Sequence, residues 1–244
     1  MGSKKRIAKE ILPIILKDRK PGQYYVEPFV GGANLIDKVD GNRIGADNNM
    51  FLIAMWKKLQ QGWIPPKEIT REYYNNVRRC YNNLIDDFPV HIIGYVGFNG
   101  SYNGRFFDGG YAGITKIKKG KFRNYPLEAF NNIQKQVSII KDVVFKYCDY
   151  DKLFIPTNSI IYCDPPYKNS KRYKTALKFN YDKFWQWCRD KVKEGHQVFV
   201  SEYDAPDDFK CIWSKEIVSS LTQDTGSKKG IEKLFVHESQ CIKV

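Results

Sequence analysis

Histidine is scarce in this chain: only His91, His196 and His237 occur, far apart, and no two of the six cysteines form a Cys-x-x-Cys pair. No zinc-ligand set is spaced for use, so no metal is expected. Several of Cys80, Cys148, Cys163, Cys188, Cys211 and Cys241 sit inside apolar runs. They read as reduced, small core residues. Long apolar runs are also missing. Segments such as 159–163 and 197–200 fall far short of the roughly 20 residues a spanning helix needs. The start, Met1-Gly2-Ser3-Lys4-Lys5-Arg6, lacks the apolar centre of a signal peptide. Arg6 stands where a myristoylation start wants Ser or Thr. No membrane partner is expected, and the cytoplasm of a bacterial, archaeal or phage-infected cell is the expected location. Acidic residues are the last scarcity, 27 against 40 Lys plus Arg, which leaves a formal charge of +13. Such an excess points to a polyanionic partner, nucleic acid before an anionic membrane.

What is present is globular. The 244 residues are 42% hydrophobic and 15% aromatic, which excludes wholesale disorder and low-complexity structure. The spacing of Ile7, Ala8, Ile11, Leu12, Ile15 and Leu16 predicts a helix over 7–17, mildly broken by Pro13. A short buried strand is expected at 24–27, a helix from Leu35, a strand at 43–46 ending at Asp47, and a helix through Phe51, Leu52, Met55 and Leu59. This is the opening of an α/β unit with parallel strands. Further strands are expected at 143–148, 159–163 and 197–201, and a closing β-hairpin at 233–244. Between about 62 and 135 the pattern turns aromatic and rich in Gly and Asn. Residues 54–140 hold 13 basic and 6 acidic side chains. One α/β domain, 1–53 with 141–244, interrupted by a module at 54–140, is therefore expected.

The strongest chemical signal is Ile160-Ile161-Tyr162-Cys163-Asp164-Pro165-Pro166-Tyr167. An apolar strand there delivers an acid, two prolines and an aromatic to the edge where α/β sheets bind ligands. The prolines stiffen the turn and remove two backbone donors. A carboxylate beside a carbonyl matches the two N–H donors of an exocyclic amine, and Tyr167 offers a face for a base. Read blandly, the prolines only stop the strand. Strand alternation turns Cys163 away from Asp164, into the core. The second signal, Glu27-Pro28-Phe29-Val30-Gly31-Gly32-Ala33-Asn34, joins a strand to the expected helix through paired glycines that allow close approach of a ligand. Asp47, 16 residues after Gly31, suits a ribose diol, or else caps a helix.

These residues together resemble the amino-methyltransferases of nucleic-acid bases, and most of all the Dam-type DNA adenine-N6 methyltransferases of the D12 class. The resemblance runs over nearly the whole chain. Gly2-Ser3-Lys4 is similar to that family's N-terminal Gly-x-Lys motif, and the aromatic middle lies where the family keeps its target-recognition domain. Where the family loop often reads Gly-Gly-Gly, this chain has Gly31-Gly32-Ala33. The resemblance implies an α/β, Rossmann-like sheet that binds S-adenosylmethionine, closed by an antiparallel hairpin. It implies S-adenosylmethionine as cofactor, contacted by Lys4, Glu27, Pro28, Phe29, Gly31, Gly32, Asn34, Asp47, Asp149 and Asp164. Asp164, Pro165, Pro166 and Tyr167 would form the catalytic turn, acting on a flipped-out adenine of double-stranded DNA. A monomer that can pair on DNA is expected. Within the middle module Asn99, Asn103 and Arg105 are candidates for base edges, since Asn suits adenine and Arg guanine. They serve equally as turn residues. Residues 167–193 hold nine Lys or Arg and two acids, with Lys168, Lys171 and Arg172 as candidates for phosphates. There Phe184 and Trp185 read better as core. N4-cytosine and RNA-base methyltransferases use similar turns, and a silent DNA-binding relative is a further alternative.

Overall fold

A computed structural model of the chain describes residues 4–116, 120–167, 179–219 and 228–241. A 3-10 turn at Lys4–Arg6 leads into helix α1, Ala8–Ile15. Ile7, Ala8, Ile11, Leu12 and Ile15 are buried on one face, while Pro13 is exposed. Strands β1 (Tyr25–Glu27) and β2 (Arg43–Asp47) follow. The helix expected from Leu35 is corrected to a single 3-10 turn, Ile36–Lys38. Gly31 and Ala33 take positive φ, 47° and 52°, so the chain is consumed in a tight loop and only one turn remains before β2.

Helix α2 (Met50–Gln60) is capped by Asn49, whose side chain accepts from the Leu52 amide at 3.0 Å. Helices α3 (Arg71–Asn83) and α4 (Val90–Asn99) come next. Part of the Gly-rich middle is thus regular helix. Gly94 brings α4 against α2: a Cβ there would lie 2.1 Å from the Phe51 carbonyl oxygen. The loop after α4 returns to it, with Tyr102 N–H donating to Gly110 O (2.9 Å) and Ala112 N–H to Gly100 O (2.8 Å). Phe106 fills the gap among Phe51, Tyr81 and Phe98. A small ribbon, β3 (Ile114–Lys116) with β4 (Phe122–Asn124), precedes helix α5 (Tyr125–Val137). Buried side chains of α1, β1, α2, α3, α4 and β6 (Ile160–Cys163) belong to one apolar cluster. The limit expected after residue 53 lies within α2.

The remaining elements are β5 (Val144–Tyr147), α6 (Tyr181–Lys193), β7 (Gln197–Glu202), β8 (Phe209–Ser219), β9 (Lys228–His237) and the short α7 (Glu238–Cys241). Seven strands among the described residues form one mixed sheet in the order β5-β2-β1-β6-β7-β9-β8. The pairs from β5 to β7 are parallel, and β9 is antiparallel to both neighbours. β1 and β6 are buried at every position, which accounts for the continuous apolar run of β6, while β1 ends in the buried Glu27. On one face lies the large cluster. On the other, Val26, Ile161, Cys163 and Val200 pack on Phe184, Trp185 and Cys188 of α6, so Cys163 is core. The closing hairpin lies earlier than 233–244: it is β8 with β9, paired from Phe209↔His237 to Ser219↔Lys228. The polar Glu238-Ser239-Gln240 offers no second apolar strand, and the chain turns into α7 instead.

Candidate active site

Parallel strands put their carboxyl ends at one edge of the sheet, and here that edge is acidic. Asp149 follows β5, Asp47 closes β2, Glu27 closes β1 and Asp164 follows β6, in the order the strands stand in the sheet. The Asp-Pro-Pro-Tyr turn leaves β6 there, and Tyr181, at the start of α6, ties it down by donating its hydroxyl to the Pro166 carbonyl at 2.9 Å.

Lys4 reaches into this turn from the opposite end of the sequence. Its Nζ lies 3.2 Å from Asp164 Oδ1 and 2.9 Å from Glu232 Oε2, donates to the Tyr167 hydroxyl, and stands 4.5 Å from the Tyr167 ring centroid. Tyr167 donates to Glu232 at 2.8 Å, and its ring meets Tyr203 edge-on at 4.5 Å. One ammonium thus serves two carboxylates and a phenol. Burial alone lowers the Lys4 pKa, but Asp164 and Glu232 together hold it above the ordinary lysine value. Burial raises Asp164, and Lys4 opposes that rise. Burial, then the charges of Asp164 and Glu232, push the Tyr167 phenol well up.

Glu27 is buried and accepts from the Tyr25 hydroxyl at 2.9 Å. Burial, and after it the charge of Asp164, raise its pKa to about 8. Before any ligand arrives, Glu27 is therefore largely protonated at neutral pH. A cation placed beside it would restore its charge. Asp47 uses both oxygens locally: Oδ2 accepts from Gly31 N–H at 3.1 Å and Oδ1 from Asn49 N–H at 3.0 Å. Its pKa is pushed up to about 6 by burial, against those two bonds. Asp47 thus locks the glycine loop to the start of α2, whose cap proper is Asn49. From outside the sheet, Trp56 Nε1 donates to Gly31 O at 3.0 Å. Gln136 Nε2 donates to Gly32 O and Ala33 O at 3.1 and 2.8 Å. The Asn34 carbonyl takes the Lys38 ammonium at 2.6 Å. Phe29, after Pro28, packs on Tyr150, Phe179 and Phe184 with centroids 5.3, 5.9 and 5.7 Å apart. Asp149 is exposed beside that cluster.

Lys4, Asp164 and Tyr167 are therefore brought into direct contact, Glu27 is coupled to Asp164 by charge, and Gly31 is bonded to Asp47. The middle-module candidates sit differently. Asn99, at the end of α4, donates to the Tyr95 carbonyl at 3.0 Å. Asn103 is an exposed turn residue with φ 57°, and Arg105 is half-buried in the same turn. Lys168, Lys171 and Arg172 lie outside the described residues. Of the other cations in that stretch, Lys183 pairs with Asp151, Arg189 with Asp208 and Lys191 with Glu194. Phe184 and Trp185 are buried, as read. Glu232, Trp56 and Gln136 were not foreseen as site residues. No local motif marks them, because each acts through a partner distant in sequence.

A largely parallel sheet with an acidic carboxyl edge and an Asp-Pro-Pro-Tyr turn is consistent with a methyltransferase fold. The family follows from comparison: residues 1–229 match the model of the D12 class N6 adenine-specific DNA methyltransferases, and the chain belongs to that family. It is similar to the DNA adenine methylases of two Vibrio cholerae serotype O1 strains, 29% identical over 163 residues, 58% of this chain and 55% of theirs. The DNA adenine methylase of Haemophilus influenzae is likewise 29% identical over 163 residues, 54% of its length. The matched region spans little more than half of these relatives.

Proposed function

We propose that the chain transfers a methyl group from S-adenosylmethionine to N6 of an adenine flipped out of duplex DNA. The observation that carries this reading is the Lys4–Asp164–Glu232–Tyr167 cluster on the Asp-Pro-Pro-Tyr turn, in a chain of the D12 family. On this reading, residues 1–53 with 141–244 form the Rossmann-like donor domain, and 54–140 reads the DNA target with Asn99, Asn103 and Arg105 among its contacts. S-adenosylmethionine would supply a methyl carried by a cationic sulfonium. The donor set suits a cation, since Glu27, Asp164 and Glu232 face it with Lys4 as their counter-charge. Gly31 and Gly32 leave room beside Pro28 and Phe29, and Asp47 and Asp149 line the same edge.

Asp164 and the Pro165 carbonyl would accept the two N6 hydrogens and aim the nitrogen lone pair, so that positioning contributes much of the rate. Positive charge would grow on nitrogen as the methyl leaves sulfur, which departs as a neutral thioether; the carboxylate is in place to oppose that charge, and the surplus N6 proton would pass to it or to solvent. Lys4 favours the carboxylate form of Asp164 against the burial that raises its pKa. Flipping the base costs a few kcal/mol of unstacking. Tyr167 recovers part of this once its ring turns from Lys4 to the base.

Nucleoside mass spectrometry after incubation with unmethylated duplex DNA and S-adenosylmethionine tests the proposal. N6-methyladenine is the expected product. N4-methylcytosine, methylation of RNA alone, or no modified base in either nucleic acid would overturn it.

A further inference from the structure

The loop Gly31–Ala33 lies beside the proposed methyl donor, yet one side chain from outside the donor domain holds two of its three carbonyls. Gln136 stands in the last turns of α5, and its amide nitrogen reaches Gly32 O at 3.1 Å, Ala33 O at 2.8 Å and Asp37 Oδ2 at 3.1 Å. Ala33 is fully buried and held at φ 52°, a left-handed conformation that is unfavourable for a non-glycine residue. Such strain persists only where neighbours over-determine the backbone. Trp56 fixes the carbonyl at Gly31, Asp47 fixes the Gly31 amide, backbone bonds tie Ala33 to Val30 and Asp37, and the Gln136 side chain joins Gly32, Ala33 and Asp37 from α5. The glutamine also belongs to the middle module, on the helix that starts directly after the β3–β4 ribbon through its Asn124 cap.

We infer that Gln136 is a positioning residue for the methyl donor, and that the middle module thereby sets the shape of the donor loop. The inference rests on the reading of the 27–34 loop as the S-adenosylmethionine site. Removing the amide strips Gly32 O of its side-chain donor and leaves Ala33 O only the Asp37 N–H at 3.4 Å, so Ala33 is less firmly held in its left-handed conformation and the loop loosens. Gln136 touches no reacting atom, so once the donor is bound the chemical step is unaffected.

The test uses the full chain and S-adenosylmethionine itself. Gln136→Ala and Gln136→Glu are compared with the unaltered protein by calorimetric titration and steady-state kinetics. Glutamate keeps the volume but turns an oxygen toward the carbonyls. Each net hydrogen bond is worth a factor of a few in affinity, so the donor Kd and KM should rise about tenfold, with kcat at saturating donor within about twofold. Ala33→Gly should recover part of the loss in the Gln136→Ala background, because glycine adopts the left-handed conformation without help. A purely structural glutamine would lower Tm and kcat together, with no such rescue. Unchanged donor affinity in both variants, beside tight binding by the unaltered protein, would overturn this inference alone. No donor binding by the unaltered protein would overturn the donor reading and this inference with it.

Discussion

Replacing Lys4 by methionine removes the ammonium between Asp164 and Glu232 while keeping the length of the side chain. Lys4 lies 3.2 Å from Asp164. At an effective dielectric of about 20, a charge pair at that distance attracts by about 5 kcal/mol before desolvation is counted. Burial of the ammonium offsets part of this. A neighbouring cation lowers a carboxyl pKa by about 1–3 units, or about 1.4–4 kcal/mol at roughly 1.36 kcal/mol per unit. Without it, burial and the charge of Glu232 both act to raise Asp164, and only the hydrogen bond from Tyr167 opposes them. In the proposed mechanism Asp164 acts as the carboxylate. The acid limb of kcat/KM against pH should therefore move up by about 1–3 units in Lys4→Met, and the rate should recover as pH rises past the new limb. Lys4→Arg, which keeps the charge, should leave the limb near its original position. The assay is methyl incorporation into duplex DNA between pH 5 and 9. A Lys4→Met profile that is lowered uniformly, with its acid limb unmoved, would refute the claim that Lys4 holds Asp164 ionised.

Asp164→Ala should cut methyl transfer by at least about 10²-fold with duplex binding retained, read by filter binding; turnover near the unaltered rate would remove Asp164 from the mechanism. Raising salt from about 50 to 200 mM should weaken DNA binding roughly 10³-fold if about six phosphates are contacted, and a flat response would detach the positive charge from DNA binding. Glu27 at about 8 and Asp47 at about 6 both lie above their unfolded values, so their stabilising effect is full below about pH 4 and drains as pH climbs toward 8. The Tm of the ligand-free protein should fall over that range, and Glu27→Gln should flatten the fall; an equal slope in the variant would contradict the shift. Gly94→Ala drives a methyl into the Phe51 carbonyl and should cost about 1–3 kcal/mol, seen as a lower urea midpoint.

Both chemical loops were legible in the sequence because their information is local. Paired glycines after Tyr25-Val26-Glu27 and two prolines after Ile160–Cys163 constrain the backbone where they stand. The strands were legible for the same reason, since β6 is short and continuously apolar and β1 is a short aromatic and aliphatic pair closed by Glu27. The false helix at Leu35 arose because the pattern of Leu35, Ile36 and Val39 carries no sign of the two positive φ angles just before it. The hairpin was misplaced because β9 ends in the readable Leu234-Phe235-Val236, while its partner β8 lies upstream and mixes charged with apolar residues. In the middle, Gly94 and Gly97 resemble turn residues in sequence. Only contact with Phe51 and Phe106 reveals them as packing positions inside α4. Glu232 and Gln136 were hidden more deeply. A glutamate in a basic strand and a glutamine on an amphipathic helix look like solvent-facing residues until the fold supplies Lys4 and the loop carbonyls.

The ion pair between Lys4 and Glu232 joins residues 228 positions apart, and β1 finds its neighbour β6 only after Tyr25 has waited for Ile160. At about 5–20 residues per second of synthesis, roughly 10–50 s separate Lys4 from Glu232 and roughly 7–27 s separate Tyr25 from Ile160. During that time Lys4 lacks one of its carboxylates and the apolar β1 lacks one flank. High sequence separation of this kind slows folding. It also makes the chemistry all-or-none: a chain halted before β9 holds the Asp-Pro-Pro-Tyr turn but not the charge balance around it. Birth of the catalytic centre is thereby tied to completion of the sheet.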